Sequence, residues 1–486
     1  MNQRDVLRKE KAYKAIEKYE DVVSNDPFRM HYHIMPPVGL LNDPNGFIYY
    51  KGTYHLFYQW NPFGTEHTTK FWGHVTSQDL VNWQAQPIAL APSDWFDKDG
   101  CYSGSAIEVD GKLVIFYTGN VRDENGNRET YQCMAVSTDG VYFEKKGPIA
   151  TLPAGYTPHF RDPKVWKYQD HWYMIVGAQT VNKEGTVVLF SSTDLEKWAF
   201  LGGIAGANLN GLGKFGYMWE CPDLFYLDGK EVLLVSPQGL DPNGDEFNNI
   251  YQSGYFVGAL DVKQPSYTHG RFHELDRGFD FYAPQTSEDS KGRRLLVGWM
   301  GIPEENEADH PTISHNWIHA MTLPRELELV KGKLYQLPVE ELKTLRGKEV
   351  YYADVLLNTT EPLELDQVNG TVIELLIDVV DNESDIFCIE IGEKSKIVFD
   401  ASKERLTFQR QQFKQSKQEE RRCHLKNINK IQLFRDVSSI EIFVNEGEAV
   451  FSSRIFDNPT DGSIRFFASA ETKINVHKWS IKRATR

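Results

Sequence analysis

Three short blocks of this chain set a carboxylate at or beside a proline. They are Leu40-Leu41-Asn42-Asp43-Pro44-Asn45-Gly46, Phe160-Arg161-Asp162-Pro163 and Met218-Trp219-Glu220-Cys221-Pro222-Asp223. Two carboxylates facing each other can run glycoside hydrolysis, one serving as nucleophile or base and the other protonating the departing oxygen. A separation of about 5–5.5 Å retains configuration and about 6.5–9.5 Å inverts it; the residues alone leave both open. A crowded acidic pocket also keeps one acid protonated near neutral pH, because burial and neighbouring negative charge raise its pKa. Taken singly, each acid reads as a turn cap beside its proline. Asp223, three residues further along, reads as structural, and Cys221 as a small buried apolar residue.

The elements that must position these acids are repeated. Short apolar runs begin at Gly52, Gly111, Asp170, Gly229 and Gly292, with intervals of 59, 59, 59 and 63 residues. Asp43, Asp162 and Glu220 stand eight or nine residues before three of them. Repeats of this length mean a stacked or radial architecture, and a ring brings equivalent places together around one axis. The expectation is therefore that the three acids hold equivalent positions in three units. A second echo runs in phase: Ser77-x-Asp79-x-x-x-Trp83, Ser137-x-Asp139-x-x-x-Phe143 and Ser192-x-Asp194-x-x-x-Trp198. Each reads as a turn capped by its own Asp, opening onto an aromatic residue packed between sheets.

Tyr54, Leu56 and Tyr58 alternate with His55 and Phe57, the two-residue period of a strand. Four-stranded units of this kind predict an all-β fold: a five-bladed β-propeller over 30–335 after a helical arm over 1–29. A charged, partly helical linker follows over 336–350, and a C-terminal β-sandwich over 351–486. The polar run 409–422 reads as an exposed hairpin or loop.

Composition narrows the function. The 486 residues carry a formal charge of −15, which argues against nucleic acid as a partner. The N-terminus lacks an apolar signal core, and no stretch is apolar enough to span a membrane. The five cysteines, Cys101, Cys133, Cys221, Cys388 and Cys423, are odd in number and form no zinc pattern. A reduced, cytoplasmic setting fits best. Aromatic residues make up 13%, which suits sugar faces and β interiors alike.

The blocks HIMPPVGLLNDPNG (33–46), FWGH (71–74), GCYSGSA (100–106), FRDPK (160–164), YMWECPDLF (217–225) and RDVSSIEIFVNEG (435–447) resemble glycoside hydrolase family 32, the β-fructofuranosidases. The resemblance covers nearly the whole chain and implies the same propeller and sandwich. It implies a retaining mechanism on sucrose, sucrose 6-phosphate or short fructo-oligosaccharides, with no cofactor and no metal. Carried over by motif, Asp43 is the nucleophile, Glu220 the general acid and base, and Asp162 the transition-state stabiliser, aided by Arg161. Asn42 and Gln59 are expected on fructose hydroxyls, and Trp72 on a sugar face. Tyr102 and Ser103 fill the acid's place in the second unit, and Trp299 closes the fifth. Many relatives have Trp-Met where this chain has Leu40-Leu41, so Leu41 lines that edge without an aromatic ring. For a phosphate, the sequence offers His67, Lys70 and His74. The alternatives are a β-fructan oligosaccharide hydrolase, a fructosyltransferase, and a non-catalytic carbohydrate-binding protein. The protein is expected as a monomer or homodimer.

Overall fold

A computed structural model describes residues 3–357 and 361–485. The chain is mostly β. A helix, Gln3–Ser24, opens it, with Ala12 and Val23 buried. It stops before Pro27, where Asp26 accepts the Phe28 amide at 2.9 Å.

Five antiparallel sheets follow in chain order. Their first strands are Gly39–Tyr50, Cys101–Val109, Tyr156–Tyr168, Met218–Leu227 and Tyr282–Glu288. Each first strand contacts the first strand of the next sheet, and the fifth returns to the first. Residues Trp317–Ile318, which lie between strands of the fifth sheet, also pair in parallel with Gly39 and Leu40, so the first sheet borrows a strand from the fifth unit's stretch of chain.

The period has a local cause. Lys51-Gly52, Asp110-Gly111 and Asp228-Gly229 form two-residue hairpins between paired residues such as Tyr50 and Thr53, with φ of 47 and 82°, 49 and 72°, and 47 and 82°. Two positive φ values make a turn whose twist matches that of the strands, and glycine takes the second at little cost. The Ser-x-Asp copies also behave alike. Asp79, Asp139 and Asp194 each accept two following backbone amides at 2.7–3.0 Å. Phe143 packs on Phe57 of the first sheet at 5.5 Å, and Trp198 on Phe116 of the second at 6.3 Å.

Two further sheets, of six and five strands, run from Arg346 to Ile481. Strand Arg346–Leu357 begins inside the stretch expected as linker, because its residues already pair with Trp479 and Ile481. The connection is thus little more than the short 3-10 helix Glu340–Leu345. The polar run 409–422 is a hairpin, but not a free one: Arg410 is buried and bonded to Asp280 beside the fifth sheet.

Candidate active site

All five first strands share one defect. Between Leu41 and Pro44, Cys101 and Gly104, Arg161 and Lys164, Glu220 and Asp223, and Tyr282 and Gln285, the strand carries one residue more than its partner. A bulge of this kind bends a strand and re-aims the side chains on it. Asp162, Cys221 and Ala283, equivalent within their bulges, all adopt left-handed φ, at 70°, 46° and 48°. Such backbone persists only where the surroundings over-determine it.

The bulges correct the expectation of equivalent acids. Glu220 stands just before its bulge, Asp162 is the first bulged residue, and Asp43 the second. Ser103 is the true equivalent of Asp43, and Tyr282 of Glu220. The acids therefore approach one pocket from three different backbone positions, and no two present the same face.

They meet at Cys221. Its Sγ lies 3.7 Å from Asp43 Oδ2 and 3.5 Å from Asp162 Oδ2, and its amide donates to Asp162 Oδ2 at 2.9 Å. Glu220 is its chain neighbour. Cys221 is thus a contact between acids rather than an apolar filler. Asp43 accepts from Asn42 Nδ2 and Gln59 Nε2, each at 3.1 Å, and from the Ser103 hydroxyl. Asn42, Gln59 and Ser103 are buried, whereas Asp43 keeps some exposure.

Glu220 is held differently. Arg161 donates to its Oε1 through Nε at 2.9 Å and through a second nitrogen. Gln238 and Tyr282 donate to Oε2 at 2.9 and 2.7 Å. Burial acts to raise the Glu220 pKa, but the Arg161 guanidinium and the Tyr282 hydroxyl hold it below the usual carboxylate range. Asp162 goes the other way. Burial, with the charges of Glu220 and Asp43, outweighs Arg161 and pushes it up to about 7. Asp162 is therefore the pocket carboxyl that holds a proton more readily, not the acid expected to donate one.

Leu41, Trp72 and Trp299 have no exposed surface, which corrects their expected place against a ligand. Trp72 packs on Phe57 and Tyr117 and donates to the Tyr102 carbonyl at 3.0 Å, so it supports Tyr102 from behind. Trp299 packs between Tyr282 and His319. Tyr102 keeps a half-buried ring near the Arg128 guanidinium.

The expected phosphate cluster divides. Lys70 is buried, donates to Asn42 Oδ1 at 2.6 Å and lies 2.9 Å from His67 Nδ1. His74 is buried apart from them, stacked on Phe57 and bonded to His55 at 3.1 Å. His67 and His319 both bond Glu307 Oε1, at 2.7 and 2.9 Å, and among the described residues these three could hold a metal ion.

Sequence reasoning missed Tyr282, Gln238 and His159, and it offered Lys70 to a phosphate rather than to Asn42. The first had a signal. Arg161-Asp162-Pro163, Glu220-Cys221-Pro222 and Tyr282-Ala283-Pro284 form one tripeptide series, each spanning the bulge of its strand.

A mostly β scaffold that turns three acids onto one pocket has the parts a glycoside hydrolase needs. Residues 33–338 match the N-terminal domain of glycosyl hydrolases family 32, and residues 341–482 match that family's C-terminal domain. The chain belongs to glycoside hydrolase family 32. It is 52% identical to a sucrose-6-phosphate hydrolase of Bacillus subtilis over 99% of this chain and 100% of that protein. It is 46% identical to one from Salmonella typhimurium, over 87% and 88%. Among solved structures, a sucrose-6-phosphate hydrolase from Lactobacillus gasseri superposes with a TM-score of 0.88 at 32% identity, covering 97% and 96%. A Bombyx mori GH32 β-fructofuranosidase gives 0.86 at 35%, covering 98% and 99%. Among the described residues, no helix is long and apolar enough to cross a membrane.

Proposed function

We propose that this chain hydrolyses the bond between fructosyl C2 and the glycosidic oxygen of sucrose and sucrose 6-phosphate, with retention. The observation that carries this reading is the meeting of Asp43 and Asp162 on the sulfur of Cys221, next to Glu220. Asp43 attacks C2 and forms an ester while Glu220 gives a proton to the departing glucosyl oxygen. Water, deprotonated by Glu220, then attacks C2 and releases Asp43. Asp162 and Arg161 hold fructose hydroxyls, and their interactions strengthen as C2 gains positive charge. Arg161 holds the empty-site Glu220 as a carboxylate. Glu220 becomes an acid when substrate hydroxyls draw Arg161 away and it takes up the proton the pocket retains. The Bacillus subtilis and Salmonella typhimurium relatives support the choice of substrate.

The five sheets with a closed series of first strands support a five-bladed propeller over 30–335. The two later sheets support a sandwich beyond a short linker, and the helix Gln3–Ser24, with Tyr13 bonded to the Ile88 amide, supports a helical arm before the propeller. Five free, buried cysteines suit a cytoplasmic, reducing setting and a monomer or homodimer without disulfide cross-links.

Retention is tested by hydrolysis of sucrose in methanol-containing buffer, with the first-formed methyl fructoside read by NMR. The β anomer is expected. The α anomer as first product would sink the covalent route through Asp43.

A further inference from the structure

Two cations, Arg128 and Lys183, gather with a histidine, His159, beside Arg161 and make no ion pair of their own among the described residues. Arg128 begins the outer strand of the second sheet's hairpin, His159 lies in the first strand of the third, and Lys183 lies in that sheet's next turn. Arg161 and Arg128 donate to His159 Nδ1 at 3.2 and 3.5 Å. Lys183 reaches only the amide oxygen of Gln179, at 3.3 Å. Among the described residues, neither Arg128 nor Lys183 has a carboxylate within ion-pair distance. In a chain of formal charge −15, unpaired cations gathered in one place need a reason.

The group's position supplies one. Arg161 bridges His159 to Glu220, and the Arg128 guanidinium sits 5.9 Å from the Tyr102 ring centroid. The cations therefore lie on the side of the pocket where the departing sugar leaves its oxygen beside Glu220. His159 is primed as well. Guanidinium groups only donate, so its Nδ1 must accept and its proton must sit on Nε2. Burial and the two neighbouring guanidinium groups, Arg161 and Arg128, lower the His159 pKa to about 4, which keeps it in that neutral form. An exposed ring then presents one N–H outward, beside an arginine fork and an ammonium. Three donors of this kind suit the three oxygens of a phosphate monoester. His67 and Lys70 suit it less: Lys70 is already committed to Asn42, and the Glu307 carboxylate stands against His67.

We propose that Arg128, His159 and Lys183 form the subsite for the phosphate monoester on the departing glucosyl unit. This rests on the reading of the pocket as one that cleaves sucrose 6-phosphate, and it locates the source of any preference over free sucrose. Charge-assisted hydrogen bonds of this kind carry about ten- to hundredfold in affinity each.

The test is the ratio of kcat/KM for sucrose 6-phosphate to that for sucrose, in the wild type, Arg128→Met, Lys183→Met and the double variant. The wild-type ratio is expected well above one, falling about tenfold or more in Arg128→Met and further in the double variant. Inhibition by glucose 6-phosphate against glucose gives an independent readout and should lose its phosphate advantage in the same order. Circular dichroism checks that each variant is folded. A wild-type ratio of one, or equal loss on both substrates in the variants, overturns the subsite. Should Arg128→Met fail to fold, Lys183→Met and glucose 6-phosphate inhibition decide alone. If the wild type cleaves neither substrate, the parent reading fails instead of the subsite.

Discussion

Two buried clusters of charge divide this molecule's labour, and they are built on opposite principles. Where the five sheets meet the C-terminal pair, buried charges stand in opposite-sign pairs. Arg325 bonds Asp276 at 3.0 Å and Glu441 at 2.7 Å, and His33 bonds Asp436 at 2.9 Å and Glu441 at 3.1 Å, all with fully buried side chains. Carboxylates on both ring nitrogens require His33 as the imidazolium, since a neutral ring has only one N–H. The pocket has three acids, one adjoining guanidinium and left-handed backbone at Asp162 and Cys221. The interface holds two units in register because each of these buried charges meets an opposite one. The pocket sets a carboxyl whose pKa is raised beside a carboxylate whose pKa is lowered, and chemistry needs that imbalance.

The comparison breaks most sharply if the pocket's acids are interchangeable with structural ones. Glu220→Gln should lower kcat on sucrose about 10²–10⁴-fold, the range for losing a general acid, and Asp43→Asn by at least as much. Asp43→Asn should keep the wild-type Tm, because the amide preserves shape, whereas Glu220→Gln should fold but lose the stability that pairing with Arg161 contributes above pH 4.5. Turnover near wild type in either would remove that residue from the chemistry.

Next in size is the interface. Arg325→Met leaves Asp276 buried without its cation and Glu441 with His33 alone, a loss of about 3–5 kcal/mol in urea unfolding. The kcat of the remaining folded protein should be unchanged. A stable Arg325→Met would mean that the pairing is ornamental.

Lys70→Met comes third. Asp43 only accepts hydrogen bonds, so the Asn42 amide must turn its NH₂ to Asp43 and its oxygen to Lys70. Without Lys70 that orientation loses its anchor. A misplaced nucleophile costs up to about 10²-fold, so kcat should fall by about tenfold or more with KM nearly unchanged. A loss confined to KM would make Lys70 a binding residue.

Much of this was legible in the sequence, and the part that was not has one physical origin. The hairpin period and the Ser-x-Asp turns announce themselves because each depends on local backbone chemistry, as at Asp110-Gly111 and Asp139. The repeated sheets and the three acids followed from it. The direction of each side chain did not, because it turns on one extra residue per first strand. That extra residue sets Ser103 opposite Asp43, brings Tyr282 onto Glu220 and moves the acids off equivalence. Trp72 and Trp299 look like sugar platforms in sequence, yet both are walls. His74 is separated from Lys70 because it lies inside strand Phe71–Ser77, stacked on Phe57, whereas Lys70 precedes that strand and reaches Asn42. Arg128, His159 and Lys183 come from three separate segments, so no spacing rule joins them.

The smallest effects are pH gradients of stability, and they separate the two clusters by window. Asp162 is raised to about 7 from its ordinary 3.8, chiefly by burial. Between those values the folded chain keeps a proton the unfolded chain has lost, so stability falls as pH rises. Glu220, held below 4.5 by Arg161 against the effect of burial, contributes stability that is present above 4.5 and lost as pH falls below it. His33 is raised above 6.5: burial opposes this, and the hydrogen bonds and charges of Asp436 and Glu441 prevail. Its contribution is complete below 6.5 and is lost as pH rises through the folded value. Tyr32 also packs on the ring, and Arg325 faces it through the shared Glu441. In Tm measured against pH, Asp162→Asn should therefore flatten the decline between about 4 and 7 and leave the alkaline decline intact. His33→Gln should do the reverse, flattening only the limb above 6.5. If Asp162→Asn left the lower limb as steep as before, the retained proton would belong elsewhere in the pocket, and the contrast between a paired interface and an unbalanced site would have to be redrawn around that group.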